Sequence, residues 1–255
     1  MKKLLLKGWR PTAVLLLLFV IWEIIVAVFK VPEWLLPSPV KIFTVGFSEW
    51  RNFYPDVIAT TKITLLGFAI GALIGIIVAV VLHLIPLVNE SVYPLLILSQ
   101  NVPTIVLAPL LVIWFGFGLL PKIIVITLVV FFPITVAALD GFKQTPAELK
   151  HYMLMAGASK SQLFWKLELP FSLPSIFSGL KISATYSVMG AVISEWLGAK
   201  QGIGVYMTFA SSSFRTDRVF VAIFTIMALS LIFFLVIVVL EKQFIHWQPK
   251  GEEEA

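Results

Sequence analysis

Residues 154–174 read LMAGASKSQLFWKLELPFSLP, a polar segment set between two long apolar runs. Lysines, serines and a glutamate surround a Gly-Ala-Ser turn, and Pro170 and Pro174 punctuate the entry to the following run. With the residues just upstream, TPAELKHYM, the segment predicts two short helices. Thr145 is placed to cap the first, with Pro146 at the first helical position and Glu148 three residues after the cap. The break falls at Gly157, and Ser159 is placed to cap the second helix. Met153, Leu154, Leu163, Phe164 and Leu167 are apolar residues that such a loop cannot bury alone. Two readings stand side by side: an amphipathic segment lying on a membrane, or a docking element for a partner.

The rest of the chain explains why a polar loop stands out. Of 255 residues, 59% are apolar and 13% charged, and the mean hydropathy is +0.99. Soluble domains average about 45–50% apolar and about 25% charged residues. One soluble core of this length could not bury so much apolar surface. The composition predicts an all-α, polytopic membrane protein. There is no cysteine, so disulfides, thiol nucleophiles and Cys-based metal sites are excluded. His83, His151 and His246 are too far apart in sequence to suggest a metal site. The net charge of +5 comes from scattered residues that form no basic stripe, which argues against nucleic acid.

A membrane crossing needs about 20 apolar residues. Six candidates lie near 11–30, 60–82, 92–115, 120–140, 174–198 and 218–240, with the polar loop at 141–173 between the fourth and fifth. They make one transmembrane domain over 1–255 with no soluble domain. The first run resembles a signal peptide but has no small-x-small site after it, and reads as an uncleaved span. The third is interrupted by Pro94, Pro103 and Pro109. With the N-terminus inside, inner segments hold eleven of the 19 Lys and Arg and outer segments eight. That bias predicts a multi-pass protein of the cell membrane with both termini and the 141–173 loop in the cytoplasm. The closing GEEEA, residues 251–255, reads as frayed.

Several residues inside the spans carry polar or packing signals. Gly67, Gly71 and Gly75 repeat at four-residue spacing, which lets helices approach closely or slide. Ser183, Ser187, Gly190 and Ser194 share one helical face, with Tyr186 beside it. That stripe reads either as packing or as a solute path, and the Tyr186 ring suits a flat heterocycle. Gln100 and Asn101 break the third span, holding a broken helix together or facing a solute. Glu195, near the outer end of span five, suggests an outer-gate or packing role, against the ordinary reading of an interfacial carboxylate. Gly198, Gly202 and Gly204 shape the turn after it. Lys181 is expected to snorkel towards phosphates, Asp140 to end span four, and Glu23 has no evident role.

These residues carry a resemblance. The loop is similar to that of ABC-importer permeases, whose pattern runs Glu-Ala-Ala, Gly, a hydrophobic residue and Leu-Pro. Gly157, Leu167 and Leu169-Pro170 match its spacing, while His151, Tyr152 and Met153 replace Glu-Ala-Ala. WLLPSP, PLLILSQNVPTIVLAPLLVIWFGFG, FFPI and EWLGAKQGIGVYM resemble the nitrate, taurine and alkanesulfonate group. SQNVPTIVLAPLLVIWFGFGLLPK and SATYSVMGAVISEWLGAKQGIGVYM look closest to permeases assigned to the pyrimidine precursor of thiamine.

The resemblance implies a non-enzymatic importer subunit that works as a homodimer. A cytoplasmic ABC ATPase dimer would grip the loop through Glu148, His151, Met153, Ala156, Gly157, Ala158, Ser159, Leu167 and Pro170. An extracytoplasmic binding protein would deliver the solute along Gln100, Asn101, Ser183, Tyr186, Ser187, Gly190, Ser194 and Glu195. This chain would bind no cofactor, and its partner would use ATP and Mg. Consistent with that division, it contains no Gly-x4-Gly-Lys-Ser/Thr phosphate loop. The alternative solutes are an alkanesulfonate, taurine or nitrate. An ion-coupled secondary transporter would need carboxylates or broken helices at mid-membrane, and a membrane enzyme would need a clustered catalytic set.

Overall fold

The computed structural model describes residues 2–246, with side chains from residue 9 onward. GEEEA and Lys250 lie outside the described residues. The chain forms helices α1 (Lys2–Val28), α2 (Pro39–Ser48), α3 (Trp50–Leu84), α4 (Pro86–Ser99), α5 (Thr104–Phe115), α6 (Leu119–Lys143), α7 (Ala147–Met155), α8 (Lys160–Leu163), α9 (Leu169–Glu195), α10 (Ile203–Ser212) and α11 (Thr216–Phe244). A π-helical turn, Phe164–Glu168, joins α8 to α9.

Five helices are long and apolar enough to cross a membrane, and a sixth crossing exists if α4 and α5 count as one broken span. Those two helices meet at 98°. Pro103 supplies no N–H and pushes Val102 away from helical geometry, so the ladder ends there. Asn101 covers the break, donating its amide to the Ile97 carbonyl at 3.2 Å.

The centre of the bundle is α6, packed between α3 and α9. Small residues set the approach on both sides. A methyl at Gly67 would lie 2.6 Å from Ile126, and one at Gly71 2.9 Å from Val130. On the other side, a methyl at Gly179 would meet Ala137 at 2.8 Å. Hydroxyls bridge the seams: Thr135 donates to the Gly75 carbonyl at 3.1 Å and Ser183 to the Val130 carbonyl at 2.9 Å. Lipid tails are as apolar as leucine, so close packing and such hydrogen bonds hold these helices together.

At about 1.5 Å per residue, α3 is roughly 50 Å long, well beyond a hydrocarbon core of about 30 Å. The Trp50 end of α3 packs with α2, α10 and the start of α11 in a small cap around Ile42, Phe53, Ile203 and Ala222. The expectation of a span beginning near 60 missed this extension. Glu23 belongs to the same end, where its carboxylate accepts the Val40 N–H in the first turn of α2 at 3.1 Å. Lys181 does not snorkel freely, because it donates to both carboxylate oxygens of Glu241 on α11 at 3.0 Å. Helix α6 runs past Asp140 to Lys143.

Candidate functional site

The polar loop starts where α6 ends. No side chain of α7 is buried, and Tyr152 and Met155 are among the most exposed large side chains of the chain. Thr145 does not cap α7; its hydroxyl is buried without a hydrogen-bond partner among the described residues. Gly157 takes φ +83°, a conformation natural to glycine, and turns the chain after α7. Ser159 then caps α8 as expected. It accepts the Gln162 N–H at 3.2 Å, and Gln162 Oε1 accepts the Ser159 N–H at 2.8 Å.

The second loop helix does not end before the membrane. From Lys160 to Glu195 the chain is one helical run, so Pro170 and Pro174 lie inside helix. The π turn makes this possible. Pro170 lacks an N–H and its ring crowds the carbonyl four residues back, and a widened turn just before it relieves both. Glu148, His151, Ala156, Gly157 and Ser159 are exposed, and Met153, Ala158, Leu167 and Pro170 half-buried. Trp165 projects from the π turn with 63% of its surface exposed. The loop therefore presents aromatic and thioether side chains on a thin stem.

Behind it lies a polar cluster that sequence spacing does not reveal. Glu168 receives Lys150 Nζ of α7 at 2.7 Å on one oxygen and His83 Nε2 of α3 at 2.8 Å on the other. The His83 ring stacks on Phe142 at 4.7 Å, and Phe142 touches Phe164 at 5.5 Å.

The opposite end of the bundle holds the second polar cluster. Glu195 is 1% exposed, so it is not an exposed interfacial carboxylate. It accepts the Thr60 hydroxyl at 2.7 Å and the Gly204 N–H at 2.8 Å. Thr60 accepts the Ile203 N–H at 2.8 Å, and Asp56 accepts that of Gly202 at 2.9 Å. Three acceptors thus cover the free N–H groups at the start of α10, where a helix carries partial positive charge. A side chain at Gly202, whose φ is +136°, would fall on the Glu195 carboxylate. Nearby, Glu49 pairs with Arg218 at 2.7 Å and accepts the Tyr206 hydroxyl at 3.4 Å. Burial, then the negative charge of Glu49, pushes the Tyr206 hydroxyl up to about 12, so it stays protonated.

The serine stripe is packed within this chain. Ser183, Ser187, Gly190 and Ser194 are buried, and Ser187 and Ser194 donate to carbonyls three residues back at 2.7 Å. The open face of α9 is a different one, with Ile182, Tyr186 and Met189, and Trp196 just past the end of the helix, between 44% and 52% exposed. Gln100 and Asn101 are also exposed. Tyr186 is therefore separated from the serines rather than joined to them.

Residues 67–246 match the family described as "Binding-protein-dependent transport system inner membrane component". The formylaminopyrimidine transport permease protein ThiX of Halalkalibacterium halodurans is 38% identical, over 94% of this chain and 96% of its own length. The taurine transport system permease protein TauC of Escherichia coli is 30% identical, over 91% and 87%. A crystal structure of an amino acid ABC transporter with histidines superposes with a TM-score of 0.65 at 13% identity, over 78% of this chain and 97% of that one.

Proposed function

We propose a solute and a cycle for this chain, which belongs to the family of binding-protein-dependent transport system inner membrane components and is the permease subunit of an ABC importer. It is a multi-pass inner membrane protein, not an enzyme, and the family implies an ATPase and a substrate-binding protein as partners. The solute is a thiamine pyrimidine precursor of the formylaminopyrimidine type. The carrying observation is the 38% identity, over nearly the full length of both chains, to a permease named for that compound.

The α7 end faces the cytoplasm and meets the ATPase, which binds ATP and Mg. Exposed Tyr152, Met155 and Trp165 suit a protein partner better than water. Two copies of the chain pair in the lipid bilayer and enclose the path. The solute passes the open face of α9, where Tyr186 offers a stacking ring, while the serine stripe keeps α9 seated on α6. That face has no Lys or Arg among residues 182, 185, 186, 189, 193 and 196, which favours an uncharged ring over a sulfonate or nitrate. ATP closes the ATPase pair, α7 moves with it, and the spans shift between outward-open and inward-open states. The solute biases the cycle only through different affinities for the two states.

Growth tests the solute. With its ATPase and binding protein, the chain is expected to rescue a thiamine auxotroph fed formylaminopyrimidine. Rescue of sulfur-starved cells on taurine instead would overturn the proposal.

A further inference from the structure

Helix α7 has no buried side chain, so apolar packing does not fix it to the bundle. A polar link to the bundle runs through one carboxylate. Glu168 has a side chain only 8% exposed, and its two oxygens serve two different helices: Lys150 from α7 and His83 from the last turn of α3. The same residue closes the π turn that continues directly into α9. Isolated π turns in helices are frequent at functional sites, because they aim side chains that a regular helix would turn elsewhere. Phe164 and Glu168 are the two buried residues of this one. His83 is in turn held flat against Phe142 of α6.

We propose that Glu168 is the positioning residue that makes α7, α3 and α9 move as one body, so that displacement of α7 by the ATPase reaches the spans. This rests on the reading above that α7 is the element the ATPase moves. The physical reason is the shared carboxylate. An ionised Glu168 accepts from both cation and imidazole, and charge-assisted hydrogen bonds of this length are about twice as strong as neutral ones. Replacing the carboxylate by an amide removes the charge and one of its two acceptor oxygens, so Lys150 and His83 no longer each have an ionised acceptor and the link between α7 and α3 is weakened. Coupling is then carried chiefly by the backbone at residues 144–146 and 156–159.

The chain lacks cysteine, so a spin-label pair is introduced cleanly as Leu149→Cys on α7 and Leu84→Cys at the end of α3. Pulsed-EPR distances are measured in the full complex with its ATPase and binding protein, nucleotide-free and trapped with ATP and vanadate. With Glu168 or Glu168→Asp, the α7–α3 distance is expected to be the same in both states. With Glu168→Gln, it is expected to change between states, while ATP hydrolysis is uncoupled about 5- to 30-fold from the movement of α3, the range of a coupling term of about 1–2 kcal/mol. A purely structural role would broaden the distance equally in both states. That outcome, or a Glu168→Gln distance that stays fixed in both states, overturns the proposal while the ATPase reading stands. If the unmodified chain does not co-purify with the ATPase, the reading itself falls and the proposal with it.

Discussion

Thr60 and Glu195 lie 135 residues apart in the chain and 2.7 Å apart in space, hydroxyl to carboxylate. The Thr60 hydroxyl is used in both directions, since it also accepts the Ile203 N–H at 2.8 Å. One side chain on α3 thereby fastens the end of α9 and the start of α10. Thr60→Val keeps the shape and removes both bonds, leaving a buried carboxylate oxygen and a buried N–H unmatched. The expected loss is about 1–3 kcal/mol, read as a lower melting temperature of the detergent-solubilised protein. Thr60→Ser should stay close to wild type. A Val variant that melts with wild type would show that the latch contributes nothing.

Gly67 and Gly46 provide a matched pair. A methyl at Gly67 falls 2.6 Å from Ile126, against a helix that cannot retreat without disturbing α9 as well. At Gly46 it falls 3.6 Å from Val221, an ordinary contact. Gly67→Ala is expected to destabilise by about 1–3 kcal/mol, and Gly67→Leu to lower the amount of folded protein in the membrane. Gly46→Ala should be neutral or slightly stabilising in the same melting assay. Equal behaviour of the two alanine variants would contradict the packing described for α3 and α6.

Much of this architecture was legible before any coordinates. Long apolar runs announce the crossings, the prolines around Gln100 and Asn101 announce the broken one, and Gly157 and Ser159 announce the turn and the cap that follow. What was hidden has two physical causes. Helices α2 and α10 are only 10 residues each, too short for a crossing signal, and are stabilised by the cap they form with α3 and α11. Pairings such as His83 with Glu168, or Thr60 with Glu195, join residues more than 80 positions apart, and spacing rules reach only along one helix. Pro170 misled for a local reason. It reads as a helix start, and the π turn ahead of it lets the helix pass through.

Tyr186 distinguishes a path on the open face of α9 from a lipid-facing surface. In vesicles with ATPase and loaded binding protein, Tyr186→Phe keeps the ring and is expected to keep the uptake rate. Tyr186→Ala removes a stacking contact worth about 0.5–1.5 kcal/mol, so uptake should fall about 2- to 10-fold. Unchanged uptake in the alanine variant would move the path elsewhere.

Gly157 separates a defect in this chain from a defect in its partnership. A Cβ there has nothing within 4 Å, so added bulk meets no neighbour inside the protein. The internal cost is the strain of a left-handed residue at φ +83°, about 1–2 kcal/mol. Gly157→Ala carries that strain with little bulk, whereas Gly157→Arg adds a long cation beside exposed Met155. If the ATPase covers this turn, both variants should reach the membrane at similar levels, but only Arg should lose co-purification with the ATPase and ATP-driven uptake. Because the two share the same backbone penalty, the difference between them reports on the surface that the partner occupies. An Arg variant that still imports at the Ala rate would leave the turn outside the contact and return α7 to the membrane surface.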